Sequence, residues 1–189
     1  MDELLNREQQ IKILKLARNT IAGKLGLPLP YKDLDLNESV FKEKFGAFVT
    51  LHIKGSLRGC IGYIVGIKEI TETIIDMSRA SAFDDPRFAS LKKEEFEKID
   101  IEVSILSPIE EVKNVSDIVI GRDGLIIKKG YKSGLLLPQV AVEQKWNLEE
   151  FLFNTCLKAG LSPQSWKEKD TKIEKFSAQV FGEIELGLK

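Results

Sequence analysis

Residues 46–62, GAFVTLHIKGSLRGCIG, carry the pattern that most restricts this chain. Ala47, Val49, Leu51 and Ile53 alternate with Phe48, Thr50 and His52, the period of a half-buried strand. Lys54-Gly55-Ser56 then supplies a turn, and Leu57, Gly59 and Ile61 alternate with Arg58, Cys60 and Gly62. The stretch reads as a β-hairpin. A three-residue turn pairs Ile53 with Leu57 and Leu51 with Gly59, which keeps the apolar side chains on one face. The other face then places His52 opposite Arg58 and Thr50 opposite Cys60. A two-residue turn would pair His52 with Leu57 and mix the faces, so the first register is expected.

Around this hairpin the pattern alternates between helical and strand periods. Asn6 with Gln9 three residues on is a capping box, and Ile11, Leu14, Ala17, Arg18 and Ile21 recur at helical spacing to about residue 25. A second helix is expected over 67–83, a proline turn over 83–88 and a short helix over 92–98. Ile99, Ile101, Val103 and Ile105 alternate with Asp100, Glu102 and Ser104 as a strand. A second hairpin is expected, with strands at 125–128 and 134–137 around Lys129-Gly130. Pro138 opens a helix to about Trp146, and Asn147 with Glu150 caps another that ends at Gly160. Residues 172–185 read as a bent terminal strand. The class is α+β: antiparallel hairpins packed with several helices, in one domain over 1–189 or two closely packed subdomains.

Charge narrows the function. Lys and Arg number 28 against 29 Asp and Glu, so no general field draws nucleic acid, which is disfavoured as a partner. The apolar runs are far too short to span a membrane, and the polar, acidic start is unlike a secretory signal. Two cysteines, Cys60 and Cys156, make neither a disulfide framework nor a metal ligand set, although a single bridge stays open on count alone. These features suggest a reduced, cytoplasmic protein, and they point to no metal and no cofactor.

Cys60 is the sharpest candidate for chemistry, as a nucleophile or as an acceptor of a transferred group. Arg58 on the same face could steady a thiolate, and His52 lies diagonally across the hairpin. Asp84, Asp85 and Arg87 around Pro86 form a second polar cluster, able to serve as acid and base or to cap the turn and pair internally. Arg58 could equally form a structural salt bridge with Asp84 or Asp85. Gln139 and Glu143 share one face of the helix that starts at Pro138, where free N–H groups could meet an anion. Thr50, Gly59 and Gly62 complete the candidate ligand surface. Cys156 falls on an apolar helical stripe and reads as an inert core thiol.

LRGCIG, residues 57–62, resembles the signature of the family named after the AMME chromosomal region gene 1 protein. Its prokaryotic members are called AmmeMemoRadiSam system protein A. Gly46 to Thr50, Ala82 to Phe88, Glu102 to Ser104, Gly134 to Ala141 with Glu143 and Trp146, and the run from Phe151 to Trp166 follow the same pattern in order. One departure is Asp123, where relatives often carry histidine. The resemblance implies an α+β fold and a shared pathway of modification or synthesis with Memo-like and radical SAM proteins. With only two cysteines, a radical SAM cluster would belong to such a partner.

Two functions follow. A cysteine-dependent enzyme would work through Cys60, Arg58 and the 84–87 turn on a small molecule. A non-catalytic binding module would use the same groove at Leu57–Gly62 to hold a small molecule, a peptide or a partner protein.

Overall fold

The computed structural model describes residues 4–189. They form two compact units: residues up to Leu106 together with Gln179–Lys189, and Ser107–Ala178.

In the first unit, helix α1 (Arg7–Leu25) begins at Asn6, whose side chain accepts from the Gln9 amide while Gln9 returns to the Asn6 amide. Gly26, at φ 67°, ends it in the left-handed region. Strands β1 (Gly46–Ile53), β2 (Ser56–Tyr63) and β3 (Ile99–Leu106) are antiparallel, in the order β2-β1-β3. Helix α2 (Ile70–Phe83) follows β2, starting three residues later than the apolar spacing predicts. Ala47, Val49 and Leu51 of β1 share the core with Ile101, Val103 and Ile105 of β3 and with Ile13, Leu14 and Ile21 of α1. The strand alternation is therefore a one-sided burial pattern, as the sequence implies.

A buried ion pair crosses this core. Arg18 of α1 binds Glu183 through two nitrogens and donates to the carbonyls of Phe96 and Ile99. Glu183 also accepts from the Ile101 amide at 2.9 Å, so the charges lie inside a satisfied network.

The second unit holds β4 (Glu110–Glu111), the hairpin β5 (Asp123–Lys129) and β6 (Lys132–Leu136), and helices α3 (Pro138–Glu143) and α4 (Leu148–Lys158). Strand β7 (Lys172–Gly182) pairs here with β4 and β5, and from Gln179 onward it belongs to the first unit. The core gathers Leu125, Ile127, Phe151, Leu152, Cys156 and Ile173. The Asn147–Glu150 capping box of α4 forms as expected.

Two differences from the sequence reading, and the role of Asp123, have local causes. The terminal strand stops at Gly182, because residues 183–186 turn into a short helix, α5 (Glu183–Leu186), that carries Glu183 to Arg18. Helix α3 ends at Glu143 rather than near Trp146, since Lys145 takes a left-handed backbone, φ 55°, and turns the chain into the α4 cap. Asp123 is buried and structural: it accepts from the Val119 amide at 2.9 Å and from Arg122 at 2.7 and 2.6 Å.

Candidate functional site

The β1–β2 hairpin places Thr50 opposite Cys60 and Leu51 opposite Gly59, in the expected register. Nearer the turn the register shifts. His52 pairs with Leu57 and Ile53 with Ser56, leaving Arg58 as an extra residue in a bulge. The turn has two residues, Lys54 and Gly55, both left-handed at φ 52° and 76°. The expected facing of His52 and Arg58 is thus replaced by His52 facing Leu57. The bulge reconciles a two-residue turn with apolar residues on one face farther along the hairpin.

Strand β2 is an edge strand, and Cys60 lies where its backbone groups point away from β1. Side chains fill that edge. The Cys60 amide donates to Asp85 Oδ2 at 2.9 Å, and Arg87 Nη2 donates to the Cys60 carbonyl at 2.9 Å. Arg87 also grips Asp85 through Nε at 2.9 Å and Nη2 at 2.7 Å, and its own amide donates to Asp85 Oδ1 at 3.1 Å. Asp85 and Arg87 together stand in for one residue of a neighbouring strand. The Asp85 side chain is 1% exposed. Its carboxyl is held well below the usual carboxylate range, chiefly by Arg87 and further by the two amides, against the opposing effect of desolvation.

The Cys60 side chain is half-buried. Thr50 Oγ1 donates to its sulfur at 3.2 Å. On the other side of β1, Thr50 pairs with Glu102 of β3. Cys60, Thr50 and Glu102 therefore form a row across three strands on the face away from α1 and α2. Partial burial raises the Glu102 carboxyl above its ordinary value, with His52 opposing and Asp100 reinforcing the shift. His52 and Asp100 are paired in the next row.

The glycines around Cys60 serve close packing. A Cβ on Gly59 would lie 2.0 Å from the Ser81 carbonyl oxygen of α2, and one on Gly62 would lie 2.3 Å from the Phe48 ring.

Arg58 reaches neither Asp84 nor Asp85 among its hydrogen bonds. It forms a two-point pair with Glu95, at 2.8 and 3.1 Å, and donates to the Ala89 carbonyl at 2.9 Å. Its guanidinium lies 5.9 Å from the centre of the Phe88 ring, and that of Arg87 lies 5.6 Å from the same ring, so Phe88 links the hairpin arginine to the 84–87 turn. Arg58 Nη1 is buried without a partner. Asp84 is exposed and closes α2 through its amide. Gln139 and Glu143 lie exposed on α3, in the second unit.

Two residues here escape the sequence reading. Glu95 is revealed only by the folded position of Arg58. Glu102 had a visible signal: it alternates with Ile101 and Val103 on the strand that pairs with β1. Both cysteines are free, and Cys156 is fully buried, its thiol pushed up by burial. Among the described residues no cluster of three or more His, Cys, Asp or Glu side chains could hold a metal ion, and no helix is long and apolar enough to cross a membrane.

The structure is that of an α+β protein built on two antiparallel hairpins, with one half-exposed thiol clamped on a sheet edge. The chain belongs to the AMMECR1 family, whose profile matches residues 14–181. A protein of Methanothermobacter thermautotrophicus is 44% identical over 189 residues, covering 95% of this chain and 96% of its own length. Protein MJ0810 of Methanocaldococcus jannaschii is 42% identical over 194 residues, covering 96% and 94%. The crystal structure of PH0010 from Pyrococcus horikoshii superposes with a TM-score of 0.75 at 43% identity, over 90% of this chain and 89% of that one.

Proposed function

We propose that the chain acts on a small molecule through Cys60, with the row Cys60–Thr50–Glu102 as the working surface. One observation carries this reading: the cysteine is fixed on three sides while its side chain stays half-exposed. Thr50 meets the sulfur at 3.2 Å, Asp85 holds the amide and Arg87 the carbonyl. A thiol fixed in this way needs little further ordering when an electrophilic centre reaches it. Glu102, its carboxyl raised by burial, is the acid–base group that the register brings beside Thr50.

The test is a set of small electrophiles read by intact mass. Cys60 labelling should saturate with electrophile concentration, as expected when a complex forms first. A rate strictly linear in concentration at every electrophile would mark an accessible thiol without a binding site and would remove the enzyme reading.

A second reading, a non-catalytic binding module, is favoured by the unpartnered Arg58 Nη1. The atom is shielded from solvent, so a carboxylate or another acceptor on a ligand would satisfy it by displacing the side chains that cover it. In that reading Cys60→Ala preserves ligand binding and Arg58→Lys loses it; in the enzyme reading Cys60→Ala abolishes turnover.

The working partners are proposed to be a Memo-like and a radical SAM protein, on the strength of the association recorded in the family's AmmeMemoRadiSam name. Co-purification of either would support this, and no association under several salt and redox conditions would count against it.

A further inference from the structure

Helix α4 opens with Glu149 and Glu150, and one turn further on stand Phe153 and Asn154. The i,i+4 spacing sets one carboxylate next to a ring and the other next to an amide, in neighbouring rows of the helix surface. These rows border an open pocket of about 350 Å³, within the range of small-ligand sites. Trp146, just before the helix, and Gln164 and Trp166, after it, complete the lining. Both tryptophans are half-buried and pack against the core of the second unit, which holds their rings in place.

The lining is rich in hydrogen-bond acceptors. Glu150 gives Oε2 to the Asn147 amide and keeps Oε1. Asn154 donates through Nδ2 to the Glu150 carbonyl at 2.8 Å, which leaves its Oδ1 uncommitted. The Gln164 side chain makes no hydrogen bond among the described residues. Glu149 meets one cation, the Lys167 ammonium, at 3.7 Å. That ammonium lies 4.7 Å from the centre of the Trp166 ring, so the chain already sets a cation of its own against one ring and one carboxylate.

The ligand follows from this inventory. Two carboxylates outweigh Lys167 and the roughly half charge of the helix N-terminus divided between them. Rings on several sides, with spare oxygens between them, suit a flat cation that carries donors around its edge. A guanidinium has that form: its face lies on a ring while its N–H groups reach carboxylate and amide oxygens in its plane. A primary ammonium has no flat face and holds its water more strongly, so an open pocket gives it less. A urea has the flat shape but forgoes the charge.

We infer that this pocket binds a guanidinium ion, supplied by an arginine side chain of a peptide or by a free guanidino compound, and that Lys167 competes with it for Trp166 and Glu149. The site is independent of Cys60 and of the function proposed for it.

Both tryptophans of the chain line the pocket, so tryptophan emission reports on this site alone. Full-length protein is titrated with propylguanidinium, its neutral isostere propylurea, butylammonium, and the peptide acetyl-Gly-Arg-Gly-amide. Propylguanidinium should change the emission saturably. Propylurea should bind about tenfold more weakly, and butylammonium about threefold more weakly. Glu149→Gln should weaken propylguanidinium binding about threefold, and Lys167→Gln, which removes the internal competitor, should strengthen it about threefold. Tighter binding of the peptide than of propylguanidinium would assign an arginine side chain; equal or weaker binding would assign a free guanidino compound. No saturable change with either guanidinium, equal binding of propylurea or butylammonium, or weaker binding in Lys167→Gln would overturn the inference.

Discussion

The two hairpins solve the same packing problem and then diverge. In each, a glycine on the second strand lets a helix backbone press onto the sheet: Gly59 beneath Ser81 of α2, and Gly134 beneath Ala159, which caps the end of α4, where an added Cβ would fall 2.0 and 2.2 Å from backbone atoms. In each unit a buried aspartate is gripped by an arginine one or two positions away. The aspartates do different work. Asp123 accepts from Val119, four residues back, and closes its own turn. Asp85 accepts from Cys60, 25 residues back, and ties the turn after α2 to the edge of β2. The cysteines diverge as well. Cys156 lies wholly inside the second core, and Cys60 stands half-exposed beside the clamp. The same device, an Asp–Arg pair, folds a loop in one unit and positions a thiol in the other.

The glycines offer the largest test of the shared half of this comparison. Gly59→Ala and Gly134→Ala should each destabilise by about 3 kcal/mol, because the clash is with backbone that can yield only by moving a helix. Urea denaturation measures this, and a cost below about 0.5 kcal/mol at either site would break the parallel.

The aspartates test the divergent half. Asp85→Asn should cost about 2–3 kcal/mol through lost charge-assisted hydrogen bonds, and should speed amide exchange at Cys60. Asp123→Asn should cost about 1–2 kcal/mol and speed exchange at Val119, with Cys60 unaffected. Equal acceleration at Cys60 in both variants would contradict the assignment.

Acid offers a smaller and graded effect. The Asp85 carboxyl is depressed from its ordinary 3.8, so its contribution is fully present above that value and fades as pH falls toward its lower native pKa. Wild-type protein should therefore lose stability below about pH 4 more steeply than Asp85→Asn does. Parallel curves would show that the carboxylate does not carry the clamp.

Much of this was legible in the residues. Asn6–Gln9 and Asn147–Glu150 announce their helices because capping is local chemistry. The pairing of Thr50 with Cys60 follows from alternation, which holds as long as no extra residue intervenes. It fails at Arg58, where a left-handed Lys54 allows the two-residue turn and a bulge absorbs the offset. The partner of Asp85 was hidden for another reason. An edge strand's outward amide can be satisfied from anywhere in the chain, and no spacing announces which side chain will arrive. The pairing of Arg58 with Glu95, rather than with Asp84 or Asp85, has the same origin. Glu102 was visible as a polar residue on an alternating strand, but its place in the row with Cys60 depends on β3 pairing with β1, which is a property of the fold.

Alkylation of the folded protein with iodoacetamide, resolved by peptide mass spectrometry, tests the central claim most directly. Cys60 should be modified while Cys156 stays protected until the protein is unfolded. Equal protection of both thiols in the native state would contradict a reacting role for Cys60.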